Sequence, residues 1–257
     1  MNHLPMIYEM PKIKQRINDT ELSKNNIYSC PQTMFKFHPD FDHVLAEILE
    51  KDKKGVLYLI KDNNKIYFNK LIERFKKIKY FDLDRVIFLD PLSRDNYINH
   101  LGTSSVLLDP LYFGAGNSFH ESMVYGTPTV TMPTKFIKSR IVSAAYMQME
   151  IEKPPIVKNK NEYVELAIDI ANNDNLLGIK NTIKRKLMKN YSILRKQVRN
   201  LIKYFSIYTN DLLKHSIVFF NKQAIVSGPT PPGTGVIAFA NFETSSKSTS
   251  PTIPSSV

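Results

Sequence analysis

The segment LLDPLYFGAGNSFHESMVYGTPTVTMP, residues 107–133, decides the fold class of this chain. It begins with an apolar strand pattern that ends at Asp109, passes through a loop that contains two glycines, and enters a helical pattern at Asn117. A second apolar strand pattern follows directly. A strand, a glycine turn, a helix and another strand in succession are typical of a parallel sheet with helices packed on it.

The same alternation of short apolar runs and helical patterns extends to both sides of that segment. Strands are predicted at residues 27–30, 55–60, 85–90, 105–110 and 127–133. Helices are predicted between and after them, at residues 40–50, 65–78, 94–101, 117–125, 136–149, 161–171 and 180–208. We therefore predict an α/β fold, with a parallel sheet that carries helices on both faces and with C-terminal helices after it.

Length and composition exclude several protein classes. The chain has 257 residues, of which 42% are hydrophobic and 23% charged, as in a globular protein with a sizeable core. A single cysteine, Cys30, excludes an internal disulfide framework and a zinc site built from several cysteines. No run approaches the ~18 apolar residues of a membrane span, and the N-terminus lacks an apolar leader. We expect a cytoplasmic protein with no membrane partner.

The net charge of +11 raises the question of nucleic-acid binding, because 35 Lys and Arg residues stand against only 24 Asp and Glu residues. Lysine is far commoner than arginine, however, and asparagine and isoleucine are also abundant. An AT-rich coding sequence explains this pattern at least as well, and the aromatic residues are not interleaved with the basic runs. We do not expect a nucleic-acid partner.

Composition also predicts the organisation of the chain. Residues 1–26 are polar, without a strong period, and form a lead-in segment. Residues 27–208 carry the α/β pattern. Residues 209–257 are predicted to be a low-complexity, disordered tail, because the chain becomes rich in Ser, Thr and Pro near its end. Within that tail, the run at residues 235–242 is compatible with one edge strand.

The turn inside residues 107–133 is the first candidate for a binding site. Gly114 and Gly116 would let the backbone come close to a ligand, and a helix that starts at Asn117 and Ser118 offers N–H groups to an anion such as a diphosphate. One turn later, Glu121 could accept hydrogen bonds from a ribose diol. A plain glycine turn with an Asn/Ser cap is the alternative. The segment lacks the third glycine of a dinucleotide fingerprint and the Gly-Lys-Ser/Thr of a P-loop.

Three blocks of the sequence resemble a known family. Residues 113–140, FGAGNSFHESMVYGTPTVTMPTKFIKSR, are similar to the nucleotide-sugar motif of the O-GlcNAc transferase family, glycosyltransferase family 41, particularly of its bacterial members. Residues 28–49, YSCPQTMFKFHPDFDHVLAEIL, and residues 85–110, RVIFLDPLSRDNYINHLGTSSVLLDP, resemble two further family blocks, the latter holding the uridine base. The blocks stand in family order and spacing, and the resemblance covers about residues 4–208.

The resemblance implies a GT-B fold, which has two Rossmann-like lobes with the donor in the cleft between them. Residues 27–208 look like the C-terminal, nucleotide-sugar-binding lobe only, so a separate N-terminal transferase lobe is an expected partner. The implied reaction transfers a sugar from UDP-GlcNAc, or a related UDP-sugar, to Ser or Thr hydroxyls of an acceptor protein, with no metal or other cofactor. The alternative is a nucleotide-sugar-binding module of a split or degenerate transferase without catalysis of its own.

The family motifs also imply roles for individual residues. Lys36 matches a catalytic lysine that contacts the donor phosphates, where an ammonium can neutralise the departing UDP. Gln32 matches a glutamine that contacts the nucleotide, and Arg94 a basic residue near the diphosphate. The backbone at Leu92 would meet the base edge. Tyr97 would stack on uracil, although packing in the helix core is an open alternative.

In the third block, the resemblance assigns phosphate contacts to the turn with Gly114 and Gly116 and to the helix start at Asn117 and Ser118. It assigns Glu121 to the ribose.

Two other polar clusters are interpreted as structural. Asp82 and Asp84 spell the Asp-X-Asp of metal-dependent glycosyltransferases, but they precede a predicted strand instead of following one, so we predict a turn. The cluster from His38 to His43 is interpreted as a helix start at Pro39, not as a metal site.

Overall fold

The computed structural model describes residues 11–13 and 25–189, which all fall in one compact unit. The predicted tail at residues 209–257, the run at 235–242 and the helix beyond residue 189 lie outside the described residues. The predicted domain boundaries therefore stay predictions.

A five-stranded, all-parallel sheet forms the centre of the described part of the chain, as predicted. Its strands are β1 (Asn26–Cys30), β2 (Gly55–Ile60), β3 (Val86–Leu89), β4 (Val106–Leu108) and β5 (Thr129–Val130). The spatial order is β3-β2-β1-β4-β5, and in the central pair Ser29 of β1 lies opposite Leu107 of β4. The chain builds one half of the sheet outward from β1, then crosses back and builds the other half.

Helices follow the strands at nearly the predicted positions. They are α1 (Pro39–Lys51), α2 (Lys65–Lys76), α3 (Arg94–Thr103), α4 (Asn117–Ser122), α5 (Ile141–Gln148), α6 (Lys160–Ala171) and α7, which covers residues 176–189 within the described range. Among these described helices, none has the length and apolar character needed to cross a membrane. The cytoplasmic location stays a prediction.

The single helix predicted at residues 136–149 is wrong. The chain instead forms a short 3-10 helix at Ile137–Ser139 and only then enters α5. The cause is local competition for backbone groups, because the Lys138 carbonyl accepts a hydrogen bond from Gly114 N at 2.9 Å. That carbonyl therefore faces the glycine turn instead of the next helical turn.

Both faces of the sheet are covered by helices, as predicted. Tyr28 and Cys30 of β1 point into the large core that contains residues of α1, α2 and α6. Ser29, between them, points to the opposite face, where its Oγ lies 3.2 Å from His100 Nε2 of α3. Tyr146 of α5 covers that second face at β5, because its hydroxyl accepts from Thr129 N at 2.7 Å. Alternate strand residues thus serve two separate cores.

Helix α7 is tied to the rest of the fold by Lys180, which is only 5% exposed. Its Nζ donates to the carbonyls of Gly102 at 2.8 Å and Ser104 at 2.7 Å, at the end of α3, where a helix leaves carbonyls without helical partners. The backbone of α7 also approaches Gly126, which has φ +69°. A Cβ at Gly126 would lie 2.0 Å from the Lys180 carbonyl oxygen, so only glycine fits there.

Candidate functional site

The strand order marks one place at the sheet edge as the natural binding site. Strands β1 and β4 are neighbours, but the chain leaves β1 toward β2 and leaves β4 toward β5. The two loops that follow these strands, residues 31–38 and 109–116, therefore diverge and leave a crevice at the carboxyl ends of the strands. These are the loops that carry Gln32, Lys36, Gly114 and Gly116.

A hydrogen-bonded chain joins the two loops across this point. Lys36, at the end of a 3-10 helix that follows β1, donates from Nζ to Gln32 Oε1 at 2.8 Å and to the Gly114 carbonyl at 3.3 Å. Gln32, only 6% exposed, donates in turn from Nε2 to Ser118 Oγ of α4. Four residues that the sequence predicted for the site are therefore in direct contact.

Burial and a nearby carboxylate have opposite effects on the pKa of Lys36. Its half-buried ammonium lies 4.7 Å from the centroid of the Phe113 ring, and burial lowers its pKa. The nearby Asp109 carboxylate opposes that shift by favouring the charged ammonium. The result is a cation held in place by acceptors of the chain itself, with its charge directed to the crevice between the two loops.

Asp109 is a site residue that the sequence analysis missed. It directly follows β4, is 2% exposed, and accepts from Ala115 N at 2.5 Å and from Thr131 Oγ1 at 2.6 Å. Burial raises the pKa of its carboxyl to about 7, against the lowering effect of these two donors and of Lys36. Asp109 therefore holds the glycine turn in shape. The signal available in the sequence was an aspartate at a strand end, five residues before Gly114.

The two glycines of the turn serve different purposes. A Cβ at Gly114 would lie 2.8 Å from Asp109 Oδ1, so the absence of a side chain there makes room for the buried carboxylate. At Gly116, which caps the start of α4, no atom of the described residues other than the glycine and its two chain neighbours lies within 4 Å of the place where a Cβ would be. The open space that a ligand could use is therefore at Gly116.

The remaining phosphate and ribose candidates lie on α4. Asn117 and Glu121 are half-buried and stand one turn apart on this helix, which spans only Asn117–Ser122. A small crevice opens between α4 and the sheet edge, and neither Asn117 nor Glu121 is among the residues that line it. It is lined by Pro31, Gln32, Leu107, Leu108, Ala115, Ser118, Phe119 and Thr129.

The candidates for the base site come from β3 and α3. Tyr97 reaches the central crevice, because its hydroxyl donates to the Pro31 carbonyl at 3.2 Å, while its half-buried ring also packs against the small core around Ile98. Leu92 is half-buried and Arg94, at the start of α3, is exposed. Strand β3 lies two strand spacings, about 10 Å, from β1, and no described contact joins these two residues to the loops after β1 and β4.

The clusters interpreted as structural have structural partners. His38 caps α1 by accepting from Asp40 N at 3.1 Å, and Asp42 accepts two hydrogen bonds of 2.7 Å from Arg74. Asp82 precedes a 3-10 turn ahead of β3, at the other end of that strand from the crevice, as predicted. Within residues 11–13 and 25–189, no group of three or more His, Cys, Asp or Glu side chains could hold a metal ion.

Comparison with known proteins identifies the family of this chain. Residues 13–201 match Glycosyl transferase family 41. The chain is 21% identical over 187 residues to the probable UDP-N-acetylglucosamine–peptide N-acetylglucosaminyltransferase SEC of Arabidopsis thaliana, covering 66% of this chain and 19% of that protein. It is also 21% identical over 138 residues to the UDP-N-acetylglucosamine–peptide N-acetylglucosaminyltransferase of Caenorhabditis elegans, covering 54% of this chain and 12% of that protein. The chain thus spans less than a fifth of either relative.

Solved structures show the same fold. A mutant of the O-GlcNAc transferase of Thermobaculum terrenum superposes with a TM-score of 0.62 at 16% identity, covering 75% of this chain and 38% of the other. TarM of S. aureus, solved in a complex that includes UDP, superposes with a TM-score of 0.54 at 17% identity, covering 74% and 38%. The fold is that of one lobe of a GT-B glycosyltransferase, as the resemblance implied.

Proposed function

Because this chain belongs to glycosyl transferase family 41, we propose that its crevice between β1 and β4 binds the diphosphate of a UDP-sugar. In the complete enzyme this lobe would hold the donor while the sugar is transferred. UDP-GlcNAc is the proposed donor, since the relatives from Arabidopsis thaliana and Caenorhabditis elegans are named for UDP-N-acetylglucosamine. By the same analogy, Ser and Thr hydroxyls of an acceptor protein are the proposed acceptors.

The observation that carries the proposal is the chain of contacts from Lys36 through Gln32 to Ser118. It brings a cation and an amide from the loop after β1 to the turn after β4, at the point of the sheet where ligands bind in doubly wound folds. A diphosphate that enters this crevice meets an ammonium that is already in place. Binding therefore costs little reordering of that long side chain.

The proposed chemical role of Lys36 follows from where charge develops. When the sugar leaves, negative charge grows on the diphosphate, and a fixed ammonium stabilises that charge more in the transition state than in the bound donor. We propose that this lysine supplies the stabilisation without a metal ion. Glu121 would hold the ribose, and Tyr97 would lie against the base, with Leu92 and Arg94 beside it.

A second candidate function is a nucleotide-sugar-binding module without catalysis of its own. This candidate is supported by length, because the whole transferases are several times longer than the region that this chain matches. In both candidates a separate N-terminal transferase lobe is the proposed partner. Transfer from UDP-GlcNAc, assayed with the full chain alone and with a family N-terminal lobe added, separates the two.

A calorimetric titration of the full chain with UDP tests the shared binding step. We expect Lys36→Met to weaken UDP binding by at least about tenfold, the size of a lost hydrogen bond to a charged group. Lys76→Met is the matched control, because Lys76 is exposed at the far end of α2. Addition of EDTA should leave the affinity unchanged. Wild-type chain without affinity for UDP, or Lys36→Met with wild-type affinity, would refute the proposal.

A further inference from the structure

A third loop reaches the crevice, the one that follows β5. Gly114 N donates to the Lys138 carbonyl at 2.9 Å, so the backbone of this loop is joined to the glycine turn. The loop is held in shape by Ser139, which is 1% exposed. Its Oγ accepts from Thr134 N at 3.0 Å and donates to the Phe136 carbonyl at 2.8 Å. The position of Lys138 is therefore set by the fold.

The side chain of Lys138 meets Lys36 at a shared aromatic ring. Its Nζ lies 4.7 Å from the centroid of Phe113, and Lys36 Nζ lies at the same distance from that centroid. The two ammonium nitrogens therefore cannot be further apart than twice that distance. Phe35 packs edge-on against Phe113 with 5.9 Å between the ring centroids, which restricts the movement of the shared ring.

Two positive charges beside one ring are unfavourable unless an anion compensates them. Each ammonium is attracted weakly to the ring face, whereas the two cations repel each other. An anion that contacts both ammonium groups offsets that repulsion. A diphosphate suits the arrangement, because it carries several negative oxygens over a short span and each can accept from a different lysine.

We propose that Lys138 is a second cationic ligand of the diphosphate, acting together with Lys36 beside the Phe113 ring. This inference rests on the proposed function and deepens it, since it adds the loop after β5 to the donor site. Lys138 lies outside the predicted set of site residues. It has no role in the core, because its side chain is exposed.

The test compares binding of UDP and of uridine to the full chain. We expect Lys138→Met to raise the Kd for UDP by about tenfold, as for the loss of one charge-assisted contact, and to leave the Kd for uridine unchanged. Lys138→Arg should retain most of the UDP affinity. Lys135→Met is the matched control, because Lys135 lies on the same loop but contacts Phe136, at 5.5 Å from that ring centroid. Circular dichroism confirms that each variant is folded.

The outcomes separate this inference from the proposed function. If the wild-type chain binds neither UDP nor uridine, both are overturned. If the wild-type chain binds UDP and Lys138→Met binds it equally well, or if Lys135→Met weakens it as much, the role of Lys138 is overturned while the proposed function stands. An equal loss of UDP and uridine affinity in Lys138→Met would indicate a displaced loop and would also overturn it.

Discussion

Replacing Asp109 by Asn removes one buried ionisation while keeping the shape of the side chain. The Asn Oδ1 can still accept from Ala115 N, and its Nδ2 can donate to Thr131 Oγ1. We therefore expect Asp109→Asn to fold with the same glycine turn. What changes is the dependence of stability on pH, because the carboxyl has a pKa of about 7 in the folded chain and the amide does not titrate.

The size and sign of the effect follow from linkage. An ordinary Asp has a pKa near 3.9, so the folded-state shift of about three units corresponds to about 4 kcal/mol. Because the folded pKa is raised, the contribution is fully present below about pH 4 and is lost as the pH rises through about 7. Between about pH 5 and about pH 8, the free energy of unfolding of the wild type should fall by about 2.5 kcal/mol relative to Asp109→Asn.

Two half-buried histidines, His100 and His120, make the difference between the two stability curves more informative than either curve alone. Burial lowers the pKa of His100 and of His120 to about 4 each, so the stability linked to them is lost as the pH falls from about 6.5 toward 4. That trend runs opposite to the trend of Asp109. It is present in both proteins and cancels when Asp109→Asn is subtracted from the wild type.

The measurement is urea denaturation followed by far-UV circular dichroism, since the chain contains no Trp for a fluorescence assay. Asp169→Asn is the control, because Asp169 is exposed on α6 and should leave the pH dependence unchanged. Parallel stability curves for the wild type and Asp109→Asn between about pH 5 and about pH 8 would refute the reasoning. They would mean that the carboxyl at the end of β4 ionises as it does in water.

Two further changes test the packing that supports the site. Gly126→Ala places a Cβ 2.0 Å from the Lys180 carbonyl at φ +69°, so we expect a loss of at least about 2 kcal/mol of unfolding free energy in urea denaturation. A Gly126→Ala variant with wild-type stability would contradict the requirement for glycine at this position. Asp42→Ala removes the carboxylate partner of Arg74, which is 31% exposed and keeps its hydrogen bond to the Phe37 carbonyl, so we expect a cost of about 1.5–3 kcal/mol by the same assay, as for hydrogen bonds to a charged group. A cost below about 1 kcal/mol would show that the pair is dispensable.

The alternation of strands and helices was predictable because buried parallel strands are short, continuous apolar runs between amphipathic helices. The order of the strands in the sheet was not predictable, since the sequence pattern is the same whether β4 lies beside β3 or beside β1. The position of the crevice between the loops after β1 and β4 therefore becomes known only from the structure. The resemblance of the motifs had already selected residues from both loops, among them Lys36 and Gly114.

Asp109 and Lys138 were missed for a physical reason. The role of each depends on contact with the glycine turn, and neither contact leaves a periodic mark in the sequence. Asp109 matters because Gly114 lets the chain fold back over its carboxylate. Lys138 was assigned to a helix because its neighbours have a helical pattern, although its carbonyl accepts a hydrogen bond from Gly114 N. Tertiary hydrogen bonds outweighed local propensity there.

Lys180 of α7, whose ammonium is buried at the end of α3, has a practical consequence for work with shorter fragments of this chain. Every residue assigned to the donor site by the motifs precedes position 122, so a fragment that stops after α6 would seem sufficient. Such a fragment would lose Lys180 and leave the carbonyls of Gly102 and Ser104 without this donor. Since α3 carries Arg94 and Tyr97, the proposed uracil side of the crevice depends on a helix to which no nucleotide contact is assigned. The smallest useful binding fragment must therefore include Lys180 and the helix α7 that carries it.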